Sequence, residues 1–398
     1  MYDQRRKQRI AVLFGSRSVE HEVSIVTAIQ AMDAMDPRRY EPLPIFITKE
    51  GRWYTGPELR RIEAYRDLPT LLEKCRPVYL RPEPFGNRLF VEESGPLGTR
   101  RTKVGVADAF FPIVHGTYGE DGTLQGLFEL ANVPYVGAGV VGSAVGMDKI
   151  VMKAAFRAAD LPTVNYIWFA RHRWQTERDT VLDEAERTLR YPLFVKPANL
   201  GSSVGITKAT DRASLARAIE IAAAYDRRLM VEEGFEGGIE VNCSVLGNDE
   251  PRASVCEQPV RWTDILSYED KYLRGGKGKA GAGEGMASAS RRIPAPISDD
   301  LTKQIQRMAV EAFISTDCAG IARIDFLVDP VSGRICVNEI NTMPGSLSFY
   351  LWEPSGVSFP ELIDRLIELA FERWHERQQT TFSFDSALLQ KFGKGTKS

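Results

Sequence analysis

Four polar residues late in the chain carry the sharpest chemical signal. Arg323 and Asp325 lie two apart in the apolar run from Ala319 to Val328, and Glu339 and Asn341 lie two apart at the end of the run that starts at Arg334. If both runs are strands, each pair points to one face, because successive side chains alternate. A hairpin closed through Asp329 to Gly333 then gathers one arginine, two carboxylates and an amide. A few hard oxygen donors that leave places for water and phosphate suit magnesium held against ATP. An ion-paired, solvent-facing hairpin would show the same alternation.

Three more segments place polar groups beside glycine. In Lys196-Pro-Ala-Asn-Leu-Gly201-Ser202-Ser203-Val-Gly205 a lysine ends an apolar run and small residues follow. Glycine lets backbone amides approach a phosphate and serine adds hydroxyl donors, although an ordinary Gly/Ser turn reads alike. The run is neither a Walker A loop nor G-x-G-x-x-G. His115-Gly116-Thr-Tyr-Gly119-Glu120-Asp121-Gly122 follows a predicted strand and precedes a helix, where ligands of open α/β sheets collect. Phe14-Gly15 leads through Glu20 and Glu22 into a helix start, where either carboxylate would also simply favour the helix dipole.

These segments need a scaffold, and the chain is long enough for two or three domains at 398 residues. Apolar content of 43% and charged content of 26% are those of a globular chain. A net charge of −2 gives no footprint for duplex nucleic acid. The apolar run Ile10 to Phe14 is too short for a secretory signal, and no run of about 18 apolar residues predicts a membrane span. Cys75, Cys243, Cys256, Cys318 and Cys336 are scattered and never spaced C-x-x-C, which fits reduced thiols in a cytosolic protein.

Apolar runs at Arg9 to Phe14, Leu43 to Ile47 and Ala109 to Val114 alternate with helical patterns such as Ser24 to Met35, predicting an open parallel sheet with crossover helices over residues 1–146. Six prolines mark 51–103 as a looped insertion with a short hairpin at Val78 to Leu80 and Arg88 to Val91. Residues 147–236 then offer a helix from Asp148 to Ala159, strands near Tyr166, Leu193 and Leu229, and a helix from Ala213 to Tyr225. A third unit, 237–374, holds strands at Glu240 to Leu246 and Ser254 to Gln258, the two chemical strands, and helices at Asp300 to Ile314 and Phe359 to Trp374. A polar tail, 375–398, ends the chain.

In family order, Glu20, the His115 to Gly122 block, Met147-Asp148-Lys149, Lys196 to Gly205, Tyr268-Glu-Asp-Lys271-Tyr272, Arg323-Ile-Asp325 and Asn338-Glu339-Ile-Asn341-Thr-Met-Pro-Gly345 resemble the D-alanine:D-alanine ligases of the ATP-grasp superfamily. The resemblance covers nearly all of residues 9–372. It implies a Rossmann-like α/β N-terminal domain followed by a two-subdomain ATP-grasp fold, a homodimer in the cytoplasm, and ATP-dependent synthesis of D-alanyl-D-alanine for cell-wall precursors.

The resemblance also implies roles. Lys149, Lys196, Ser202, Ser203, Glu232, Glu240, Lys271 and Asn338 would contact ATP, and Asp325, Glu339 and Asn341 would hold two magnesium or manganese ions. Glu20 would anchor the first amino group and, with Ser202 and Tyr272, close the site. His115, Lys271, Ser346 and Ser348 would meet substrate, while Arg323 and the Gly345 amide would stabilise the oxyanion. Residues 268–285 read as a lid, because an acyl phosphate must be kept from water.

Two departures bear on the acceptor. About four residues of the family pattern are missing between Gly345 and Leu351-Trp352-Glu353, where the second substrate's carboxylate is held. The lid carries Lys277 and Lys279 in place of aromatic residues and prolines. D-serine, D-lactate or another amino acid as acceptor is the nearest alternative; by the resemblance Tyr272 favours D-alanine, and with no histidine between His172 and His375 the lactate reading lacks its expected residue. A non-catalytic ATP-binding regulator is the alternative of another class, and it would need neither an oxyanion hole nor an amino-group anchor.

Overall fold

The computed structural model describes residues 6–95, 98–201, 205–260, 291–384 and 386. Its first sheet has five strands, in the order Arg76–Pro77, Trp53–Thr55, Tyr40–Ile47, Gln8–Gly15, Ala109–Ile113. Gln8–Gly15 pairs parallel with both neighbours, as the alternation of apolar runs and helices requires. Part of the insertion extends this sheet: Trp53–Thr55 adds antiparallel to Tyr40–Ile47. The expected hairpin pairs Tyr79 with Phe90 and Leu80 with Leu89, and its second strand pairs onward with Gly98–Val106, past the expected boundary at residue 103.

The second sheet is antiparallel, in the order Thr207–Ala209, Leu193–Pro197, Arg228–Glu233, Tyr166–Ala170. Helices Arg178–Thr188 and Arg212–Ala223 bury Val181, Leu182, Leu215 and Ile219 against it. The third sheet runs Arg291–Arg292, Arg252–Pro259, Ile239–Gly247, Gly320–Val328, Ile335–Asn341. Helix Asp299–Ser315 covers one face through Leu301, Ile305, Ala309 and Phe313.

Two helices tie these layers into a site. Lys149–Ala158 begins at Asp148, whose carboxylate accepts the Ile150 and Val151 amides, both at 3.1 Å, satisfying donors the helix leaves unpaired. Met152 and Phe156 on this helix pack into the core of the third sheet. The helix Phe359–Arg377 returns to the start of the chain, where Leu362, Ile363, Leu366 and Ile367 share a core with Ile25, Ala28 and Met32 of the helix His21–Ala34. Each buried Leu, Ile or Met side chain among them contributes about 1.5–3 kcal/mol by leaving water.

Candidate active site

The hairpin of residues 320–341 forms in the expected register: Arg323 opposite Asn341 and Asp325 opposite Glu339. Asp325 accepts Arg323 Nε at 2.7 Å, Arg323 Nη2 at 2.8 Å and Asn341 Nδ2 at 3.1 Å. Both members of the pair are buried. Burial pushes the Asp325 carboxyl upward against the pull of the arginine, while the Arg323 guanidinium, although burial opposes its charge, is held firmly protonated by Asp325. The ladder skips one residue here, with Phe326 opposite Val337, so Asn338 is the extra residue of a bulge.

Hard oxygens from Asp325, Glu339 and Asn341 fit a magnesium-like ion whose remaining ligands come from water and phosphate. Among the described residues no group of three or more His, Cys, Asp or Glu side chains is arranged to hold a metal, so such an ion would depend on the amide and on ATP oxygens.

Glu20, His115, Glu120, Lys149, Arg323 and Gly345 line one cavity, which Glu339, Asn341 and Gly201 also border. Glu20 stands just ahead of the helix His21–Ala34 and is buried. Glu22, two residues on, is exposed and paired with Lys49 at 2.6 Å, so the simple surface role falls to Glu22 alone. Glycines make room for the Glu20 carboxylate: a Cβ on Gly201 would lie 2.8 Å from its Oε2 and one on Gly116 3.1 Å away. Gly15 lets the preceding strand turn at φ +91°, where a Cβ would meet the Ile47 carbonyl at 2.3 Å.

Lys196 and Glu232 form a buried ion pair on adjacent strands, and Lys153 reaches the other Glu232 oxygen at 3.3 Å. Burial alone would raise the Glu232 carboxyl, but the two ammonium groups outweigh it and hold it below the ordinary range. Burial likewise opposes the Lys196 charge and is outweighed by Glu232, whereas for Lys153 burial wins and lowers it. Lys149 donates to the Leu200 carbonyl at 2.7 Å, joining the helix start to the Gly201 turn. Glu240 is half-buried on the strand Ile239–Gly247 of the third sheet.

His115 is buried, with Nδ1 2.8 Å from the Met343 carbonyl and Nε2 3.2 Å from Thr27 Oγ1. Burial lowers its pKa, which favours the neutral ring. Past Gly345, Ser346, Leu347 and Ser348 have φ of 50°, 51° and 49°. A left-handed run of side-chain-bearing residues costs roughly 1–2 kcal/mol per position. Ser346 Oγ is engaged by Gln30 at 3.1 Å, while the buried Ser348 hydroxyl finds no hydrogen-bond partner among the described residues. Neither serine borders the cavity of Glu20 and Gly345.

Ser202, Ser203, Lys271, Tyr272 and the expected lid lie outside the described residues. Sequence reasoning passed over Thr27, Lys153 and any role for Glu120. Lys153 was within reach, since it sits four residues after Lys149 on one helix face. The contacts of Thr27 with Ser346 and of Glu120 with Met343 cross more than 200 residues and leave no local pattern.

The chain matches the family models for the D-ala D-ala ligase N-terminus over residues 9–138 and the D-ala D-ala ligase C-terminus over residues 155–368. It is 44% identical over 381 residues to the D-alanine–D-alanine ligase of Heliobacterium modesticaldum, covering 94% of this chain and 97% of that protein. The D-alanine–D-alanine ligase of Geobacillus kaustophilus is 42% identical over 385 residues, 95% and 98% of the two chains. Among solved structures, the D-alanine-D-alanine ligase from Coxiella burnetii has a TM-score of 0.74 at 35% identity, covering 94% and 96%. The VanG D-Ala:D-Ser ligase from Enterococcus faecalis has a TM-score of 0.75 at 32% identity, covering 92% and 100%. With this coverage at both ends, the chain belongs to the D-alanine–D-alanine ligase family of ATP-dependent, ATP-grasp ligases.

Proposed function

We propose that this chain joins two molecules of D-alanine into D-alanyl-D-alanine, with ATP converted to ADP and phosphate, for peptidoglycan precursor synthesis in the cytoplasm. The observation that carries the reading is the meeting of an amino-group anchor, Glu20, with an oxyanion pair, Arg323 and Gly345, around one cavity bordered by Lys149. A protein that only bound nucleotide would have no use for the first three.

A carboxylate is a poor electrophile. Its oxygen first attacks the γ-phosphorus of ATP, the bond to ADP breaks, and a D-alanyl phosphate forms. Lys149 and Lys196 hold the phosphates, and Glu232, Glu240 and Asn338 face the nucleoside and its surroundings. Metal ions held by Asp325, Glu339 and Asn341 would neutralise charge on the transferring phosphoryl group. Glu20 keeps the ammonium of the first substrate in place. The amine of the second then attacks the acyl carbon, and Arg323 with the Gly345 N–H stabilises the oxyanion. Collapse expels phosphate, and the nitrogen gives up a proton as the peptide forms. Ser202, Ser203, Lys271 and Tyr272 complete the site in this reading, His115 borders it, and Ser346 or Ser348, which lie beyond the lining of that cavity, would meet the acceptor's carboxylate.

We further read residues 1–146, 147–236 and 237–374 as three units and the working form as a homodimer, which sedimentation of the full chain tests. No helix among the described residues is long and apolar enough to cross a membrane. The D-Ala:D-Ser ligase shares the fold at 32% identity, whereas the curated relatives at 42–44% are D-alanine–D-alanine ligases, so D-alanine is the acceptor of this reading and D-serine the alternative that the assay must exclude. ADP release measured with D-alanine, D-serine and D-lactate, and product identified by mass, decides between them. No ADP with any D-amino acid would sink the proposal.

A further inference from the structure

We propose that Glu120 and His115 are positioning residues for the ligation step: from the N-terminal sheet they grip both polar groups of the Met343 main chain and so fix the direction of the Gly345 N–H. This inference rests on the reading of Gly345 as an oxyanion donor.

Glu120 Oε1 accepts the Met343 N–H at 2.8 Å, and its Oε2 accepts the Gly116 N–H at 2.7 Å. The Thr342 hydroxyl adds a longer contact to Oε1 at 3.4 Å. One carboxyl group therefore staples the turn after the strand Ala109–Ile113 to the end of the strand Ile335–Asn341. His115 takes the other side of the same residue, with Nδ1 2.8 Å from the Met343 carbonyl. A carbonyl only accepts, so Nδ1 carries the proton and Nε2 is left to accept from the Thr27 hydroxyl at 3.2 Å. Thr27 Oγ1 in turn accepts the Ser346 N–H, also at 3.2 Å.

Gly345 thus lies between two anchored positions, 343 and 346, and all the anchors come from the first 120 residues. The segment needs them, because Ser346, Leu347 and Ser348 are all left-handed, at φ of 50°, 51° and 49°. Backbone bonds here run from the Leu347 N–H to the Pro344 carbonyl at 2.9 Å and from the Phe349 N–H to the Ser346 carbonyl. An oxyanion donor works by being aimed before charge develops, and a displacement of about 1 Å at a reacting centre costs on the order of 100-fold in rate.

The test uses the full chain with D-alanine and ATP. Glu120→Ala and His115→Ala should each lower kcat roughly 10- to 100-fold while KM for ATP moves less than about twofold. Because both act on one peptide, the double variant should be little worse than the poorer single one. His115→Asn keeps an amide donor near the Nδ1 position and should retain most of kcat, whereas His115→Gln, with its amide nearer Nε2, should not. Losses that multiply in the double variant, or a rise in the KM for D-alanine with kcat kept, overturn the clamp. So does a lower Tm with unchanged kcat per folded molecule. Wild type that forms no dipeptide overturns the function reading and the clamp with it, while normal wild type with unaffected variants overturns the clamp alone.

Discussion

Arg323 and Asp325, two positions apart on one strand, form a bidentate ion pair, with Nε to Oδ1 at 2.7 Å and Nη2 to Oδ2 at 2.8 Å. A guanidinium has five N–H donors, so this pair leaves Arg323 three for the cavity it borders. The carboxylate fixes the plane of the guanidinium while the free edge is left for developing charge.

Arg323→Ala should therefore lower kcat about 100- to 1,000-fold with little change in ATP affinity, since the contact forms only as the oxyanion does. Steady-state kinetics beside equilibrium ATP binding separates the two. Equal losses in both would count against an oxyanion role. The variant also leaves Asp325 buried without its partner, so unfolding should become easier by about 3–5 kcal/mol.

Removing divalent metal with a chelator should abolish D-alanine-dependent ADP release, and added magnesium or manganese should restore it. Asp325→Ala combined with Asn341→Ala should remain inactive when metal is returned, because two of the three oxygen donors are gone. Turnover that persists in the chelator would refute the assignment of Asp325, Glu339 and Asn341.

Much of this arrangement is legible in sequence because it is local. Alternation on two strands puts Arg323, Asp325, Glu339 and Asn341 on one face, and the observed register agrees. The bulge at Asn338 is invisible to such counting, since one skipped residue changes neither composition nor apolar content. The insertion was harder still. Its hairpin continues to Val106, and Trp53–Thr55 joins the main sheet, because cross-strand partners rather than proline content decide where pairing stops. Glu120 illustrates the limit: its motif is visible, but its partner Met343 is brought to it only by tertiary folding.

Glu232 carries two lysines, and its replacement should show in stability as well as in ATP use. Glu232→Gln leaves Lys153 and Lys196 without their counter-charge, which should cost about 3–5 kcal/mol and raise KM for ATP. The pH dependence has a definite sign. Glu232 is held below the ordinary value of 4.5, so its contribution is present above that value and is lost as pH falls below it through the folded pKa. Thermal midpoints of wild type and variant should keep their gap down to about pH 4.5 and converge as the pH is lowered further. A gap that stays constant well below that pH would show that the lysines do not depend on the carboxylate charge.

Glu120 should act in the opposite sense. Burial and the neighbouring Glu20 raise it from 4.5 to about 8. A raised carboxyl stabilises the fold fully below its unfolded pKa, and that contribution is lost as pH rises through the folded one. The stability of wild type relative to Glu120→Gln should therefore fall between about pH 5 and pH 8 and level off above it. Chemical denaturation at several pH values reads this directly, and a gap that widens with pH would contradict it.

The two serines after Gly345 differ in a way that separates their roles. Ser346 Oγ is committed to Gln30 at 3.1 Å, whereas the Ser348 hydroxyl is buried and finds no hydrogen-bond partner among the described residues. A hydroxyl held unsatisfied in a left-handed residue is costly unless something uses it. If an acceptor carboxylate does, Ser348→Gly should raise KM for the second D-alanine about tenfold, the loss of one charge-assisted hydrogen bond. The same change should stabilise the free enzyme by up to about 1 kcal/mol, because glycine tolerates the φ of 49° that serine does not. Ser346→Ala should do the reverse, costing about 0.5–1.5 kcal/mol through the lost Gln30 bond with KM unchanged. Kinetics with the two D-alanine sites resolved, beside thermal midpoints, checks both variants; a KM effect in Ser346→Ala alone would transfer the acceptor role to Ser346.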